Sequence, residues 1–243
     1  MFWRKFRLDW SYAIGELGIV TLGVLIALGI DEWNDERLKR VEEIDVISRI
    51  VFEVDADLQN FEIRLEGVVR KEDSLLRVRS AILHGAPQDP KAFLRDIIVG
   101  ADYGWNQGLA QRATFDDLLG SGRLTVIGNP EIRSQIANYY RLYEDSHMRM
   151  EERETAYPRL SYQLVPRRIS WSEGGVVWER DIEADIAEEQ LNDLVRSIHE
   201  SSIGNYVIAE LNLARFIRAI TKENQGRATS LVDQLEEYKA AID

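Results

Sequence analysis

Apolar residues follow one another almost without interruption near the beginning of the chain. Residues 13–30 read AIGELGIVTLGVLIALGI, and Glu16 is the only charged residue in this run. An α-helix of this length rises about 27 Å, close to the roughly 30 Å thickness of the hydrocarbon layer of a bilayer. The pattern therefore predicts a single transmembrane helix at residues 13–30.

Aromatic residues flank the apolar run on both sides. Trp3, Trp10 and Tyr12 precede it, and Trp33 follows it. Amphipathic rings favour the headgroup level of a bilayer, so we predict that these four residues lie at the membrane interfaces. Glu16 falls in the first turn of the helix, where the interface is near and the helix dipole favours a negative charge.

Two other interpretations of residues 13–30 stay open at this level. A basic N-terminal region, an apolar run and the small-x-small tripeptide Ala27-Leu28-Gly29 also match a cleavable signal peptide. The short length of the run, together with Glu16, is also compatible with a buried core helix of a soluble protein.

Basic residues near the two ends of the apolar run are equal in number. They are Arg4, Lys5 and Arg7 before it, and Arg37, Lys39 and Arg40 after it. The positive-inside rule is therefore nearly balanced. Because the first group lies closer to the run and acidic residues accompany the second group, we predict a cytoplasmic N-terminus at residues 1–12. The extramembrane domain, residues 31–243, is then on the other side of the membrane.

A second pattern, with apolar residues three and four positions apart, begins after residue 40. Its members are Ile44, Ile47, Val51, Val54, Leu58, Phe61, Leu65 and Val68. This spacing is typical of the seam of a coiled coil or of a bundle helix. Leu75 and Ile82 continue it, so we predict a long helix that ends near His84, where Gly85-Ala86-Pro87 follows.

Turn residues divide the rest of the chain into shorter elements. The predicted helices occupy about residues 89–99, 109–119, 129–158, 182–199 and 203–241. Asp89-Pro90 and Asn129-Pro130 each place a capping residue before a proline, which is typical of a helix start. Residues 166–181 favour a small hairpin or loop, because Trp171 and Trp178 lie in alternating segments on either side of two glycines.

The predicted fold class is all-α. One N-terminal transmembrane helix is followed by an elongated antiparallel bundle of about four helices, with the hairpin or loop as an insertion. The domain that follows the span has room for a sizeable hydrophobic core of its own.

The charge and the cysteine content exclude several classes of function. The chain has 42 acidic and 30 basic residues and a formal net charge of −12. This argues against a nucleic-acid partner, because such binding depends on neutralising phosphates. The chain has no cysteine, so disulfides, thiolate nucleophiles and cysteine-ligated metals are excluded.

Two motifs resemble chemical sites, but each has a simpler structural explanation. Glu144 and His147 have the Glu-x-x-His spacing of di-iron bundles, but the chain lacks a second such pair. Gly120-Ser121-Gly122 follows a predicted helix instead of preceding one, so it indicates a helix stop and not a phosphate loop. We therefore predict no catalytic residue, no cofactor and no metal site, and we expect that the protein is not an enzyme.

A set of aromatic residues offers a weaker hypothesis of a ligand pocket. The set comprises Tyr103, Trp105, Phe115, Tyr139, Tyr140 and Tyr143. Arg112 or Arg133 would recognise an anion there. Aromatic residues at helical spacing are more often part of a core, so both interpretations stay open.

Contacts with other proteins are the preferred prediction. Gly23 and Ala27 form a small-xxx-small pair that lets another helix approach closely in a bilayer. Glu16 is a candidate to pair with a basic group of that neighbour. Trp171 and Trp178 are candidate docking residues because tryptophan is enriched at interface hot spots, although they can also fold back and cap the bundle.

Two groups of residues occur in a characteristic order. The first runs from Gly15-Glu16 through residues 23–28 (GVLIAL) to residues 33–37 (WNDER). The second contains residues 114–119 (TFDDLL), Ser121-Gly122, Leu124, Ile127, Asn129, Ile132-Arg133 and Tyr139-Tyr140. Together they cover about a quarter of the chain and resemble a bacterial family of uncharacterised single-span membrane proteins, classed as a domain of unknown function. The resemblance implies a membrane anchor with a helical extramembrane domain, and no activity.

These observations lead to a functional hypothesis. We expect a membrane-anchored accessory or scaffolding subunit of the bacterial inner membrane, with a periplasmic domain, that contacts a larger membrane protein complex. Its predicted partners are other membrane protein subunits and the lipid bilayer, and a homo-oligomer is left open. The alternative is a membrane-tethered sensory or small-ligand-binding helical module.

Overall fold

The computed structural model describes most of the chain. The described residues are 10–85, 87–102, 110–151, 153–165, 168–172, 175–179 and 188–243. Side chains are described for residues 17–85, 87–102, 110–150, 153–165 and 188–243.

The described residues form seven α-helices, one 3₁₀ turn and a two-stranded hairpin. In chain order these are α1 (Trp10–His84), α2 (Pro90–Gly100), α3 (Ala113–Gly120), the 3₁₀ turn (Leu124–Val126), α4 (Pro130–Glu151), α5 (Tyr157–Leu164), β1 (Arg168–Ser172), β2 (Gly175–Glu179), α6 (Glu188–Glu200) and α7 (Ile203–Ile242). The fold is therefore almost entirely helical and begins with one long helix that carries the apolar run.

Helix α1 runs without interruption for 75 residues, which corresponds to a length of about 110 Å. The apolar run and the amphipathic seam therefore belong to one continuous helix. It ends at His84 as predicted, and Gly85 follows with a φ of 101°. Glycine adopts this left-handed conformation without steric cost, which is why it terminates helices so often.

Helix α7 packs antiparallel along the second half of α1. At one end, Gly204 lies against Ile82. At the other end, the hydroxyl of Tyr238 donates a hydrogen bond of 2.7 Å to Glu43. The predicted pairing of the first and last long helices is confirmed. The other helices of the body pack against this pair.

Two hydrophobic cores lie along this helix pair. The proximal core, nearer to the apolar run, contains Ile47, Ile50, Val54, Phe61, Ile136 and Leu235 among others. The distal core contains Leu75, Val78, Leu94, Ile97, Val195 and Ile217 among others. Helices α1, α3, α4 and α7 build the proximal core, whereas α1, α2, α5, α6 and α7 build most of the distal core.

A belt of buried polar residues lies between the two cores. Its members are Arg64, Ser146, His147, Thr221 and Asn224. Each belongs to the stretch of α1, α4 or α7 that separates the proximal from the distal core. Within the belt, Ser146 donates a hydrogen bond of 3.2 Å to the side-chain oxygen of Asn224. Polar groups buried in this way favour one helix register, because a shift would leave them without partners.

One predicted helix, at residues 129–158, differs from the structure. Helix α4 ends at Glu151 instead of continuing to Pro158, and Pro158 lies in the first turn of α5. Proline is favoured there because its missing N–H would have no helical partner. The hairpin prediction is confirmed, since β1 and β2 pair antiparallel with Ile169 opposite Trp178 and Trp171 opposite Val176.

Candidate functional site

The apolar first part of α1 is not covered by the rest of the protein. Large side chains from Leu17 to Ile30 are all exposed, and nothing in the described body packs on them. Among the described residues, one helix is long and apolar enough to cross a membrane, and it is this one. By length and composition a membrane span and a signal sequence both fit.

Of the four predicted interface residues, only Trp33 has a described side chain. Trp33 is exposed on α1, just beyond the apolar run. Trp10 and Tyr12 lie in the first turns of α1, where side chains are not described, and Trp3 lies outside the described residues. Their placement at the membrane interfaces therefore stays a prediction.

The predicted partner-contact residues are distributed over two distant regions. Gly23 and Ala27 lie on the exposed part of α1, and a methyl group added at Gly23 would meet no other atom within 4 Å. Glu16 lies in the same helix, outside the part with described side chains. Trp171 and Trp178 lie in β1 and β2, for which only the backbone is described.

Three carboxylates of α1 bind the segment that precedes α4, and no sequence pattern pointed to them. Each accepts a backbone N–H from that segment: Asp57 from Gln111 at 2.9 Å, Glu53 from Thr114 at 2.8 Å and Glu43 from Gly128 at 2.6 Å. The order of the contacts shows that residues 111–128 run antiparallel to α1. We call this set of three residues the carboxylate clamp.

Glu53 of α1 caps the N-terminus of α3, which has no cap from its own N-cap residue. Arg112, at the capping position, makes no side-chain capping bond. The carboxylate of Glu53 accepts both the backbone N–H of Thr114, at 2.8 Å, and its hydroxyl, at 2.7 Å. A carboxylate at this end of a helix satisfies an unpaired donor and interacts favourably with the helix dipole.

Asp57 is fully buried and joins α1 to α4. The hydroxyl of Tyr139 donates a hydrogen bond of 2.8 Å to its carboxylate. Burial raises the pKa of Asp57 to about 6, although the hydrogen bonds from Gln111 and Tyr139 act in the opposite direction. Burial and the negative charge of Asp57 raise the pKa of Tyr139 above its usual value, so the phenol stays protonated and donates.

The predicted aromatic residues pack against one another around this junction. The rings of Phe115 and Tyr140 stack with their centroids 4.8 Å apart, and those of Phe61 and Tyr143 are 5.4 Å apart. The guanidinium of Arg112 lies 5.8 Å from the centroids of both Phe115 and Tyr140. These side chains therefore form part of the proximal core.

Arg133, the second arginine of the pocket hypothesis, is engaged by backbone carbonyl groups. Arg133 donates hydrogen bonds to the carbonyl oxygens of Ile127 and Gly128. Tyr103 and Trp105 lie outside the described residues. The Glu-x-x-His glutamate, Glu144, lies 3.5 Å from the guanidinium of Arg112. Within the described part of the chain, no group of three or more His, Cys, Asp or Glu residues is arranged to hold a metal ion.

A buried ion pair lies in the distal half of the body. Lys71 of α1 pairs with Glu210 of α7, and both side chains are almost fully buried. Lys71 also donates a hydrogen bond of 3.0 Å to the carbonyl oxygen of Asp102, and the hydroxyl of Thr155 donates to Glu210. These contacts connect α1 and α7 with the segments that follow α2 and precede α5.

A groove of about 440 Å³ lies between α4 and α7, on the side of the body near the proximal core. It is lined by Gln135, Asn138, Tyr139, Leu142, Glu223, Gly226, Arg227, Ser230, Leu231 and Gln234. Arg227 and Glu223 form an ion pair at its edge. The lining combines side-chain amides and the hydroxyl of Ser230 with the apolar side chains of Leu142 and Leu231.

Comparisons with protein-family models, with curated proteins and with solved structures find no match to this chain. Its function is therefore inferred from the geometry described above.

Proposed function

We propose that this protein is a non-enzymatic, membrane-anchored accessory or scaffolding subunit. The observation that carries the proposal is the continuity of α1. Its first part exposes a run of apolar side chains, and its second part forms one wall of both cores of the body. One element therefore inserts into lipid and also orders the extramembrane domain.

The exposed run provides the energy for insertion. Nine large apolar side chains between residues 17 and 30 are exposed: Leu17, Ile19, Val20, Leu22, Val24, Leu25, Ile26, Leu28 and Ile30. Burial of one such side chain contributes about 1.5–3 kcal/mol, so transfer of the run into hydrocarbon is favourable by roughly 15–25 kcal/mol. A bilayer is the environment that accepts a whole helix surface of this kind.

In this proposal α1 crosses the inner membrane of a bacterium once, and residues 1–12 are cytoplasmic. The remaining chain forms an elongated antiparallel bundle in the periplasm. The continuity of α1 between the apolar run and the proximal core supports this arrangement, because an unbroken helix would carry the body directly away from the bilayer. A body held in this way is suited to contact other membrane protein subunits, with the hairpin residues Trp171 and Trp178 as candidate docking residues.

Two experiments test the proposal with the full-length protein. Extraction in a mild detergent followed by native electrophoresis should show it migrating with a heavier assembly that contains other membrane proteins. Its separation from them as a single species would contradict the accessory role. An alkaline phosphatase fused after residue 243 should be active, and an inactive fusion would contradict the proposed orientation.

A membrane-tethered ligand-binding module is the alternative, and the groove between α4 and α7 is the feature that favours it. Its amide and hydroxyl lining would suit a small polar molecule. A thermal-shift screen of polar metabolites against the wild type and Gly226→Leu, which fills the groove, tests this alternative. Stabilisation of the wild type alone would support it, and no stabilisation by any compound would contradict it.

A further inference from the structure

The outer face of α1 carries one apolar column that runs from the membrane segment into the body. Its members are Ile19, Ile30, Val41, Phe52 and Ile63, each eleven residues after the previous one. All five side chains are between 53% and 76% exposed. At the next step of eleven the residue is Ser74, which is polar and buried, so the column ends at Ile63.

These residues form a stripe that winds slowly around the helix in the right-handed sense. Each step of eleven residues makes three turns with an excess of about 20°, so the stripe turns by about 80° over its length of about 66 Å. In the body, the opposite side of α1 carries Ile47, Ile50 and Val54, which are buried in the proximal core. The column therefore faces away from the bundle.

Short side chains stand beside the column and make room for another helix. The positions four residues after its members are Gly23, Asn34, Asp45, Ala56 and Gly67. A methyl group added at Gly23 or Gly67 would meet no atom within 4 Å. Large residues that alternate with short ones in this way allow two helix backbones to approach closely.

Charges on the two sides of the column have opposite signs near Phe52. Arg49 lies three residues before Phe52 and Asp55 three residues after it, so they flank the column on opposite sides by about 60° each. Arg49 also pairs with Asp45 at 3.1 Å, which reduces the charge close to the column. In a protein with a net charge of −12, such a face is a favourable place for two acidic bodies to meet.

We propose that a second copy of this protein covers the column, in a parallel dimer with its two-fold axis along the helices. This inference rests on the proposed membrane anchoring, because the membrane then forces both copies to point the same way. In a parallel two-fold pair each residue of the column faces the same residue of the other copy. The residues on one side of the column in one copy then face those on the other side of the column in its partner. The Arg49 flank of one copy therefore faces the Asp55 flank of the other.

A second copy fits this surface better than an unrelated helix for a geometric reason. The occupant must cross the membrane and continue as a helix for the length of the column, with apolar residues at the same heights. Helix α1 of another copy meets all of these conditions. The eleven-residue repeat also predicts a nearly straight or slightly right-handed crossing of the two helices.

Cysteine cross-linking in native membranes tests the proposal, and the natural chain has no cysteine that would interfere. Phe52→Cys and Ile63→Cys should each form a disulfide-linked dimer on mild oxidation. The matched control is Lys222→Cys, an exposed position on α7. We expect about tenfold more dimer from the column variants, since paired helices hold the two thiols at a high effective concentration.

A yield equal to that of the control would overturn the proposal, and so would a cross-link of Phe52→Cys to a different protein. The double variant Phe52→Glu with Ile63→Glu should lose the dimer, while Lys222→Glu should retain it. Failure of the dimer and failure of the membrane-subunit function are distinguishable. A protein that does not cross-link to itself but still migrates with a heavier assembly refutes only the dimer.

Discussion

The carboxylate of Asp57 on α1 accepts a hydrogen bond of 2.8 Å from the phenol of Tyr139 on α4, and both side chains are buried. The same carboxylate accepts the backbone N–H of Gln111. One ionisable group therefore connects two helices and the segment between them. Protonation of Asp57 and loss of the contacts of the neighbouring carboxylates should each change the free energy of unfolding.

Stability should fall as the pH rises from about 4 to about 6, because of Asp57. Its pKa in the folded protein is raised from the usual value of 3.8 to about 6. Between these values the folded state binds more protons than the unfolded state, so ionisation costs stability up to pH 6. The difference corresponds to at most about 3 kcal/mol.

Urea unfolding in detergent at pH 4.5 and pH 7 measures this effect. Other groups also titrate in this range, so the comparison is with Asp57→Asn, which keeps a side-chain oxygen for Gln111 but does not ionise. The variant should gain stability relative to the wild type at pH 7 and lose this advantage at pH 4.5. An advantage that is the same at both values would contradict the raised pKa.

Loss of the cap on α3 should destabilise the proximal core. Glu53→Ala removes the acceptor of the N–H and hydroxyl of Thr114. We expect a loss of about 1–3 kcal/mol in the free energy of unfolding, because a partly buried donor is left without a partner. Hydrogen exchange at the amide of Thr114 should become faster.

The control for this prediction is Glu62→Ala, an exposed position on the same helix. It should change the stability by less than about 0.5 kcal/mol. If both variants behave alike, Glu53 does not act as the cap.

Separation of the buried ion pair between Lys71 and Glu210 should be costly. Lys71→Met removes the cation that pairs with Glu210, and among the described residues the carboxylate then keeps its contact from Thr155. The expected loss is about 3–5 kcal/mol, since an uncompensated charge is buried. The double variant Lys71→Met with Glu210→Leu should recover most of it, and chemical unfolding of the three proteins gives the comparison. A double variant no more stable than Lys71→Met would argue against this explanation.

Gly100 should not tolerate a side chain. A Cβ at this position would lie 2.8 Å from Cδ2 of Leu75 and 3.1 Å from the hydroxyl of Tyr157. Gly100→Ala should therefore lower the stability by about 1–3 kcal/mol, as other overpacked cores do.

Gly226→Ala is the matched substitution, because a Cβ in that α7 position meets nothing within 4 Å. It should raise the stability by about 0.5–1 kcal/mol through better helix propensity. Thermal melts of both variants in the same detergent test the pair. A loss of stability at Gly226 as large as that at Gly100 would contradict the close approach of α2 to α1 as the cause.

Local signals were sufficient for most element boundaries. The end of α1 follows from Gly85, the start of α2 from Asp89 with Pro90, and the hairpin from two alternating segments around a pair of glycines. Each of these residues influences only the backbone within a few positions of itself, so the sequence alone is sufficient to predict the boundary. The predicted end of α4 was wrong. Pro158 is compatible both with the end of one helix and with the first turn of the next, and the structure shows the second case.

The carboxylate clamp had no comparable signal. Asp57 and Gln111 are 54 positions apart, and Glu43 and Gly128 are 85 positions apart. In the sequence these acids look like the polar side of an amphipathic helix, because charged residues are usually solvated. Only the packing of residues 111–128 on α1 shows that they are acceptors for buried N–H groups.

The sequence by itself determined that this protein has an apolar helix near its beginning, an acidic helical body and no cysteine chemistry. These properties depend on composition and on short-range periodicity, which each segment carries alone. The tertiary structure alone decided which face of α1 is buried, which acids become internal and which apolar column stays uncovered. Those choices arise from contacts between residues far apart in the chain, where the desolvation of one side chain depends on what another helix places against it.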